Sequence, residues 1–317
     1  MYHIIINTNA GSGNGKRIGE ELLQYLDEKN VLYTAYFTHF AGEEVEITER
    51  LAEKGELREW QGEEENFPLL VVLGGDGTLH QVLNALDKTS KKIPVAYIPA
   101  GSGNDFARGV GIVRNDTKKA FEQIVQAKKP QKIQVLRYFE RVKQEKGVAV
   151  NNFGVGIDAA IVASTNQSVS KKALNKYKLG SFSYIFSILK VLFTQKSYPA
   201  EVIADGKKHE FPNTFLATVT NHAYFGGGVS ICPPADVRSE KVDLVLIEKE
   251  NWLVIFWLLS LIFRGKHLKS KYVHHFKCET LQLEAKEEQF GQIDGETVKP
   301  RKFALNFVSE SRLFWFL

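Results

Sequence analysis

The stretch best suited to chemistry is Gly74-Gly75-Asp76-Gly77-Thr78. Glycines let a backbone come close to a ligand and adopt positive φ. Free N–H groups at a helix start then present positive charge, and phosphate is the usual guest. Asp76 fits that picture only with a partner, because a carboxylate repels phosphate unless a divalent cation lies between them. The combination reads as a metal–nucleotide site. A plain strand-to-helix turn with Asp as N-cap explains one glycine and the Asp, but not three glycines.

Two more glycine-rich stretches occur, Asn7-Thr8-Asn9-Ala10-Gly11-Ser12-Gly13-Asn14-Gly15-Lys16 and Gly101-Ser102-Gly103-Asn104-Asp105. The first is not a Walker A loop, since Ala10 replaces its first Gly and Arg17 its Ser/Thr. Nor is it a dinucleotide fingerprint, because Lys16 replaces the third Gly. Alone it reads equally well as a flexible surface loop.

The elements around these loops follow from periodicity. Leu69 to Leu73 is an uninterrupted apolar run, the pattern of a strand buried on both faces. Leu79, Val82, Leu83 and Leu86 then recur on one helical face, so Leu79, His80 and Gln81 continue the loop into a helix. Strands also read at His3–Ile6, Leu32–Thr38 and Pro94–Ile98, with helices at about Arg17–Glu28 and Glu43–Trp60. Each glycine-rich loop ends a strand and starts a helix. In an open α/β sheet such loops share the carboxyl edge, where ligands bind. From Gln131 the pattern becomes strand-like, at Lys132–Phe139, Gly147–Phe153, Ala200–Ala204, Lys207–Phe211, Thr214–Asn221, Val242–Ile247 and Leu281–Ala285. Asp205-Gly206 reads as a hairpin turn, and helices interrupt near Phe182–Thr194 and Asn251–Arg264. The expected fold is an α/β domain over 1–130 and a mostly antiparallel β domain over 131–301.

Composition sets outer bounds. A chain of 317 residues, 44% hydrophobic and 25% charged, has room for two globular domains. Its net charge of +4 suits an anionic substrate or membrane surface and is too weak to argue for nucleic acid. Two distant cysteines, Cys232 and Cys278, suggest neither a zinc site nor a disulfide framework, and fit a cytosolic setting. The N-terminus lacks the pattern of a secretory leader. His274-His275 has no carboxylate or thiolate at metal-site spacing, and His222 reads as structural. The run Trp252–Phe263 is apolar nearly all round and too short to span a bilayer. It reads first as a buried helix; the basic stretch Arg264-Gly265-Lys266-His267-Leu268-Lys269-Ser270-Lys271 keeps a membrane-facing alternative open.

Gly74 to Thr78, Gly101 to Asp105, and Asn152-Phe153-Gly154-Val155-Gly156-Ile157-Asp158, in that order, resemble the diacylglycerol kinase catalytic domain, more narrowly a soluble bacterial lipid kinase. Sphingosine kinases share these motifs and ATP–NAD kinases share the first. The resemblance spans nearly the whole chain, including Asn7 to Gly11, Thr38 and Asp294-Gly295-Glu296. It implies an N-terminal α/β nucleotide domain and a C-terminal β-sandwich, with the active site in the cleft between. The last segment, about 302–317, would return to the first domain. ATP would be bound by Asn7, Thr8, Asn9, Ala10, Gly11 and Thr38, by Gly74 to Gln81, and by Ser102, Gly103 and Asn104. Asp76 and Asp105 would hold Mg2+, and Glu296 would be the general base. Implied are a lipid substrate at a membrane surface, a peripheral cytoplasmic location and room for a homodimer.

One loop departs from the family pattern. In Pro233-Pro234-Ala235-Asp236-Val237-Arg238-Ser239-Glu240-Lys241, Ser239 and Glu240 stand where Asp-Gly is expected. A serine hydroxyl is a far weaker magnesium ligand than a carboxylate. Asp236 or Glu240 could substitute, or Lys241 could place its charge there. The expected activity is phosphoryl transfer from ATP to a lipid hydroxyl, foremost diacylglycerol. Alternatives are a sphingoid or phosphatidylglycerol-type lipid kinase, a soluble-metabolite kinase and a non-catalytic regulator.

Overall fold

The computed structural model describes residues 1–62, 67–89, 91–157, 159–161 and 194–317. Four parallel strands form the first layer, β1 (Tyr2–Ile6), β2 (Tyr33–Phe37), β3 (Leu69–Gly74) and β4 (Val95–Pro99), in the order β2-β1-β3-β4. Every residue of β3 and β4 is buried, as their continuous apolar sequence requires. Between them come a left-handed turn α1 (Ala10–Gly13), α2 (Gly15–Glu28), α3 (Glu43–Glu53) and α4 (Asp76–Asp87), and after β4 come α5 (Asp105–Val110) and α6 (Thr117–Gln126). Right-handed crossovers put α2 on one face of the sheet and α3 and α4 on the other. Accordingly α3 packs on α4, and α2 on α6. Helix α3 is shorter than its sequence suggests: it stops at Glu53, and Gly55 follows at φ 72°. Trp60 is no part of it and packs edge-on against Phe67 and Trp315.

The second layer is antiparallel. Its strands are β5 (Gln131–Glu140), β6 (Glu145–Ala149), β7 (Asn152–Gly156), β8 (Tyr198–Ala204), β9 (Lys207–Thr220), the short pair β10 (Tyr224–Phe225) and β11 (Val229–Ser230), β12 (Val242–Glu248), β13 (Val273–Cys278), β14 (Thr280–Ile293) and β15 (Glu296–Phe314). The run expected at Gly147–Phe153 is two strands, and Lys207–Phe211 with Thr214–Asn221 is one. Asp205-Gly206 does turn a hairpin, with φ 47° and 80°. The helix expected near Phe182–Thr194 lies outside the described residues, apart from Thr194.

Strand β15 joins the layers. It pairs with β14 from Glu296 to Val308, with β5 from Leu305 to Phe314, and reaches β4 at Phe314. Phe303, Leu305 and Phe307 belong to the core of the antiparallel layer, whereas Phe314, Trp315 and Phe316 belong to that of the parallel layer. Helix α7 (Trp252–Phe263) caps a third apolar cluster through Ile255 and Leu258, its only buried residues. The expectation of a buried helix is thus overturned. Leu253 and Phe263 are 83% and 80% exposed, and Trp257 is exposed too. No described helix is long and apolar enough to cross a membrane.

Candidate active site

The carboxyl ends of β1, β2, β3 and β4 meet at one place. Asn7 N–H donates to Leu73 O, Thr38 N–H to Ile6 O and Ala100 N–H to Gly74 O, so the loops leave the sheet side by side. Side chains tie them further. Asn7 Nδ2 donates to Thr78 Oγ1 at 2.7 Å, and Asn7 Oδ1 accepts from Asn9 N–H. Thr8 Oγ1 donates to Thr38 O, while buried Thr38 accepts from Thr8 N–H. Leu79 is fully buried, its side chain part of the core beneath α4. Gln81 is half-buried on the same helix.

Much of the glycine in these loops serves backbone packing. A side-chain carbon on Gly101 would come within 2.6 Å of Gly75 Cα, and one on Gly11 within 2.6 Å of Ala100 O. The loops after β3 and β4 are therefore stacked on each other, a use of glycine besides the ligand approach and positive φ that the sequence suggests. Asn104 holds the second loop shut. Its Oδ1 accepts from Gly101 N–H and Nδ2 donates to Gly101 O, with the residue itself at φ 53°. Its amide is thus used within the loop. Gly103 has Asp76 Oδ2 and Gly227 Cα at 3.5 Å from where its side chain would start, so it sits at the seam between the layers. Ser102 is exposed on the rim of this loop.

Asp76 opens α4 and ties it to α5. Its two oxygens accept from Asp105 N–H at 2.9 Å and Phe106 N–H at 3.1 Å. Burial raises its pKa to about 6; those hydrogen bonds and one from Asn151 pull the other way, and the Asp105 charge adds to the rise. Asp105 is buried, and burial raises its pKa as well. Its Oδ2 accepts from Gly227 N–H at 2.7 Å, which docks the β10–β11 turn on α5. Its Oδ1 has no hydrogen-bond partner, and Arg108 Nε stands 3.7 Å away.

Sequence reading missed how α4 is fastened. Asp76, His80, Asn84 and Asp87 lie one turn apart along one face, beside the apolar face that meets the sheet. His80 Nδ1 meets Asp294 Oδ2 at 2.8 Å. Asn84 brackets Val148, accepting its N–H and donating to its carbonyl, both at 2.9 Å. Asp87 takes a bidentate pair from Arg137, which also grips Glu310. The polar stripe at spacings of four, four and three was the signal available in the sequence.

Asp294 is the keystone of the Asp-Gly-Glu turn. Buried, it accepts from Val150, Asn151 and Asn152 N–H as well as meeting His80. Asp294 and Gly295 have φ 51° and 87°, the geometry of a tight hairpin turn, and Glu296 follows as the first residue of β15. That turn puts Glu296 Oε1 3.1 Å from where a side chain on Gly77 would begin. A carboxylate from the antiparallel layer therefore stands over the first turn of α4, the turn that Asp76 opens. We expect Asp294→Asn to lower unfolding free energy by about 2 kcal/mol, since one charged acceptor is lost and a backbone donor is left facing an amide N–H. Urea unfolding measures this, and an unchanged midpoint would remove Asp294 from its supporting role.

Behind Asp76 runs a second line of buried groups that sequence reading did not foresee. Tyr224 N–H donates to His222 Nδ1, so the ring proton lies on Nε2, which donates to Asn151 Oδ1. Asn151 Nδ2 is then the group left to donate to Asp76. Burial lowers the His222 pKa to about 4, which keeps the ring neutral and this direction fixed. His222 is structural, as its sequence suggests, yet it steers a site residue. Asp236 stands apart: its Oδ1 accepts from Arg238 N–H, and Ser239 Oγ accepts from Lys241 N–H. Among the described residues Asp236 joins no group of three metal-ligand side chains. Asp158 lies outside the described residues.

Residues 1–138 match the family model described as the diacylglycerol kinase catalytic domain. Residues 151–307 match that of the YegS C-terminal NAD kinase beta sandwich-like domain. The chain is 28% identical over 311 residues to a Bacillus subtilis (strain 168) protein named "Putative lipid kinase YtlR", covering 96% of each. It is 26% identical over 294 residues to the diacylglycerol kinase of that strain, covering 92% of this chain and 88% of the other. A crystal structure titled as a putative diacylglycerol kinase from Bacillus anthracis str. Sterne shares the fold, with TM-score 0.74, 20% identity, and coverage of 100% of this chain and 95% of that one.

Proposed function

This chain belongs to the diacylglycerol kinase and lipid kinase family of phosphotransferases, and from that premise we propose that it moves the γ-phosphoryl group of ATP to the hydroxyl of diacylglycerol, giving phosphatidic acid. The observation that carries this reading is Glu296 of the antiparallel layer standing over Gly77 in the first turn of α4, the turn that Asp76 opens. Phosphoryl transfer needs an anion cradle, an aligned acceptor and a sink for the acceptor's proton. The loops at the carboxyl edge of the parallel sheet suit the first. Glu296, from the opposite layer, suits the last. Asp105 fits a hard cation, with a buried carboxylate oxygen that lacks a hydrogen bond, and Asp76 lies beside it. Mg2+ held there would neutralise phosphate charge. A panel of diacylglycerol, sphingoid bases and phosphatidylglycerol in mixed micelles, with labelled ATP and Mg2+, tests the substrate. Label in phosphatidic acid is the expected result. Label in another lipid would reassign the substrate, and none at all would favour a non-catalytic regulator.

A membrane-resident substrate calls for a docking surface, and we assign that role to α7. Leu253, Trp257 and Phe263 are exposed, and exposed Arg264, Lys266, Lys269 and Lys271 follow them. Binding to anionic vesicles is expected to weaken with salt. Inserting one Leu or Phe side chain is worth roughly 1.5–3 kcal/mol, so Leu253→Asp with Phe263→Asp should cut vesicle affinity at least ~10-fold. Salt-independent binding, or none by the wild type, would leave α7 without this role.

A further inference from the structure

Three side chains of metal-ligand type converge in the antiparallel layer, away from the catalytic loops. In the β12–β13 pair Asp243 faces Lys277 and His275 faces Val245, so Asp243 and His275 are diagonal neighbours on one face. Cys232, in the segment after β11, reaches the same point. Its Sγ lies 3.6 Å from His275 Nε2, which is 2.6 Å from Asp243 Oδ1. The three ligand atoms all fall within 4.8 Å of one another. Residue spacing carries no such hint, because Cys232 and His275 are 43 positions apart and only strand register closes that gap.

We propose that Cys232, Asp243 and His275 form a binding site for a thiophilic divalent transition-metal ion, of which zinc is the best fit. Sulfur, imidazole and carboxylate together are the donor set that suits zinc rather than magnesium or calcium. Zinc–ligand lengths of about 2.3 Å to sulfur and 2.0 Å to nitrogen place a tetrahedral S···N edge near 3.5 Å. The observed separation of Sγ and Nε2 is 3.6 Å. The Asp243–His275 hydrogen bond would open to about 3.3 Å to admit the ion. Asp243 Oδ2 is buried and has no hydrogen bond, the nearest cation being Lys277 Nζ at 3.9 Å. His275 is partly exposed, which supplies an entry route and room for a water as fourth ligand. The rival reading of the trio as a thiol nucleophile with its base fails on access. Cys232 is fully buried, and burial, then the Asp243 charge, holds its thiol well above its ordinary pKa.

Such an ion would have a structural task. Cys232 and Asp243 bracket the loop in which Ser239 and Glu240 replace the family's Asp-Gly. Just before Cys232 lies the β10–β11 turn whose Gly227 holds Asp105. An ion at Cys232 would fasten that segment to β12 and β13.

The test uses the full chain, stripped with a chelator and titrated with Co2+ and then with Zn2+ against a chromophoric competitor. Co2+ is expected to raise a near-ultraviolet thiolate-to-metal band at a single equivalent, and Zn2+ to displace it. The band should vanish in Cys232→Ser and persist in Cys278→Ser. Loss of a ligand should weaken zinc binding by ~100-fold or more, both in Cys232→Ser and in His275→Gln. His275→Gln alters a partly exposed position, so it covers the case in which the buried cysteine variant fails to fold. No band in the wild type, an undiminished band in folded Cys232→Ser, or unchanged zinc affinity in His275→Gln would each overturn the assignment.

Discussion

Asp76→Asn is expected to lower phosphoryl transfer by ~10³-fold or more while the chain stays folded. Asp76 uses both oxygens on the first N–H groups of α5, and Asn151 adds a third hydrogen bond. These fix the carboxylate at the seam of two glycine-rich loops, so its charge and direction are both set. An amide can satisfy one of those N–H groups and must face the other with its own N–H. The charge that would hold a cation against phosphate is gone. Stability should move differently from activity. Desolvation raises the Asp76 pKa to about 6 from its ordinary 3.8. A carboxyl group whose pKa is raised by folding stabilises most below its unfolded value, and that contribution is lost as pH rises through the folded value. Ionised Asp76 therefore works against the fold at neutral pH when no cation is bound. The unfolding free energy of the Asn variant relative to wild type should accordingly rise between about pH 4 and about pH 7 in magnesium-free buffer. Urea titrations at both pH values measure this. Wild-type turnover in the variant would end the catalytic assignment, and a pH-independent difference would show that the carboxylate is not desolvated.

The parallel layer was legible because its signals are local. Leu69 to Leu73 is apolar throughout and is buried throughout, and the loops beyond it fall on the carboxyl edge where such loops must fall. Strands β13 and β15 were not legible for the opposite reason. Val273-His274-His275-Phe276 alternates too weakly to mark a strand, and Pro300 in a charged run argues against one. Residues of β15 gain their burial only from partners far away in sequence, β14, β5 and finally β4. Bulges in β14 between Ala285 and Gly291 break the period-two pattern, so only its first half reads as a strand. The candidate site divides in the same way. Asp76, Asp105 and Glu296 could be named from local motifs and a resemblance. The groups that position them could not, since Asp294 with His80, and Asn151 with His222, meet only through the fold. Apolar α7 was misjudged because periodicity measures composition around a helix and not what lies beside it.

Glu296→Gln is the sharpest test of the proposed chemistry. A lipid hydroxyl is a poor nucleophile at neutral pH, and its proton must leave as the bond to phosphorus forms. The candidates near α4 are Asp76, Asp105, Glu44 and Glu296. Asp76 accepts two backbone N–H groups and Asp105 accepts one with Arg108 beside it, and both would face the cation, which makes them poor proton acceptors. Glu44 is buried on α3, where burial raises its pKa first and the charge of Glu296 adds a smaller push. Glu296 is exposed, stands on the layer opposite the glycine-rich loops, and is held in place by a turn locked through Asp294. Glutamine keeps the length and hydrogen-bonding reach of this side chain but cannot take a proton. General-base contributions are ~10²–10⁴-fold, so kcat should fall by about that factor while the KM for ATP stays near wild type. Glu44→Gln provides the contrast: it lies near the same charge but is buried on α3, and its effect on kcat should stay under about 10-fold. Single-turnover measurements isolate the chemical step. A Glu296→Gln enzyme that keeps most of its single-turnover rate would remove this residue as the base. A larger loss in Glu44→Gln would transfer the role to α3.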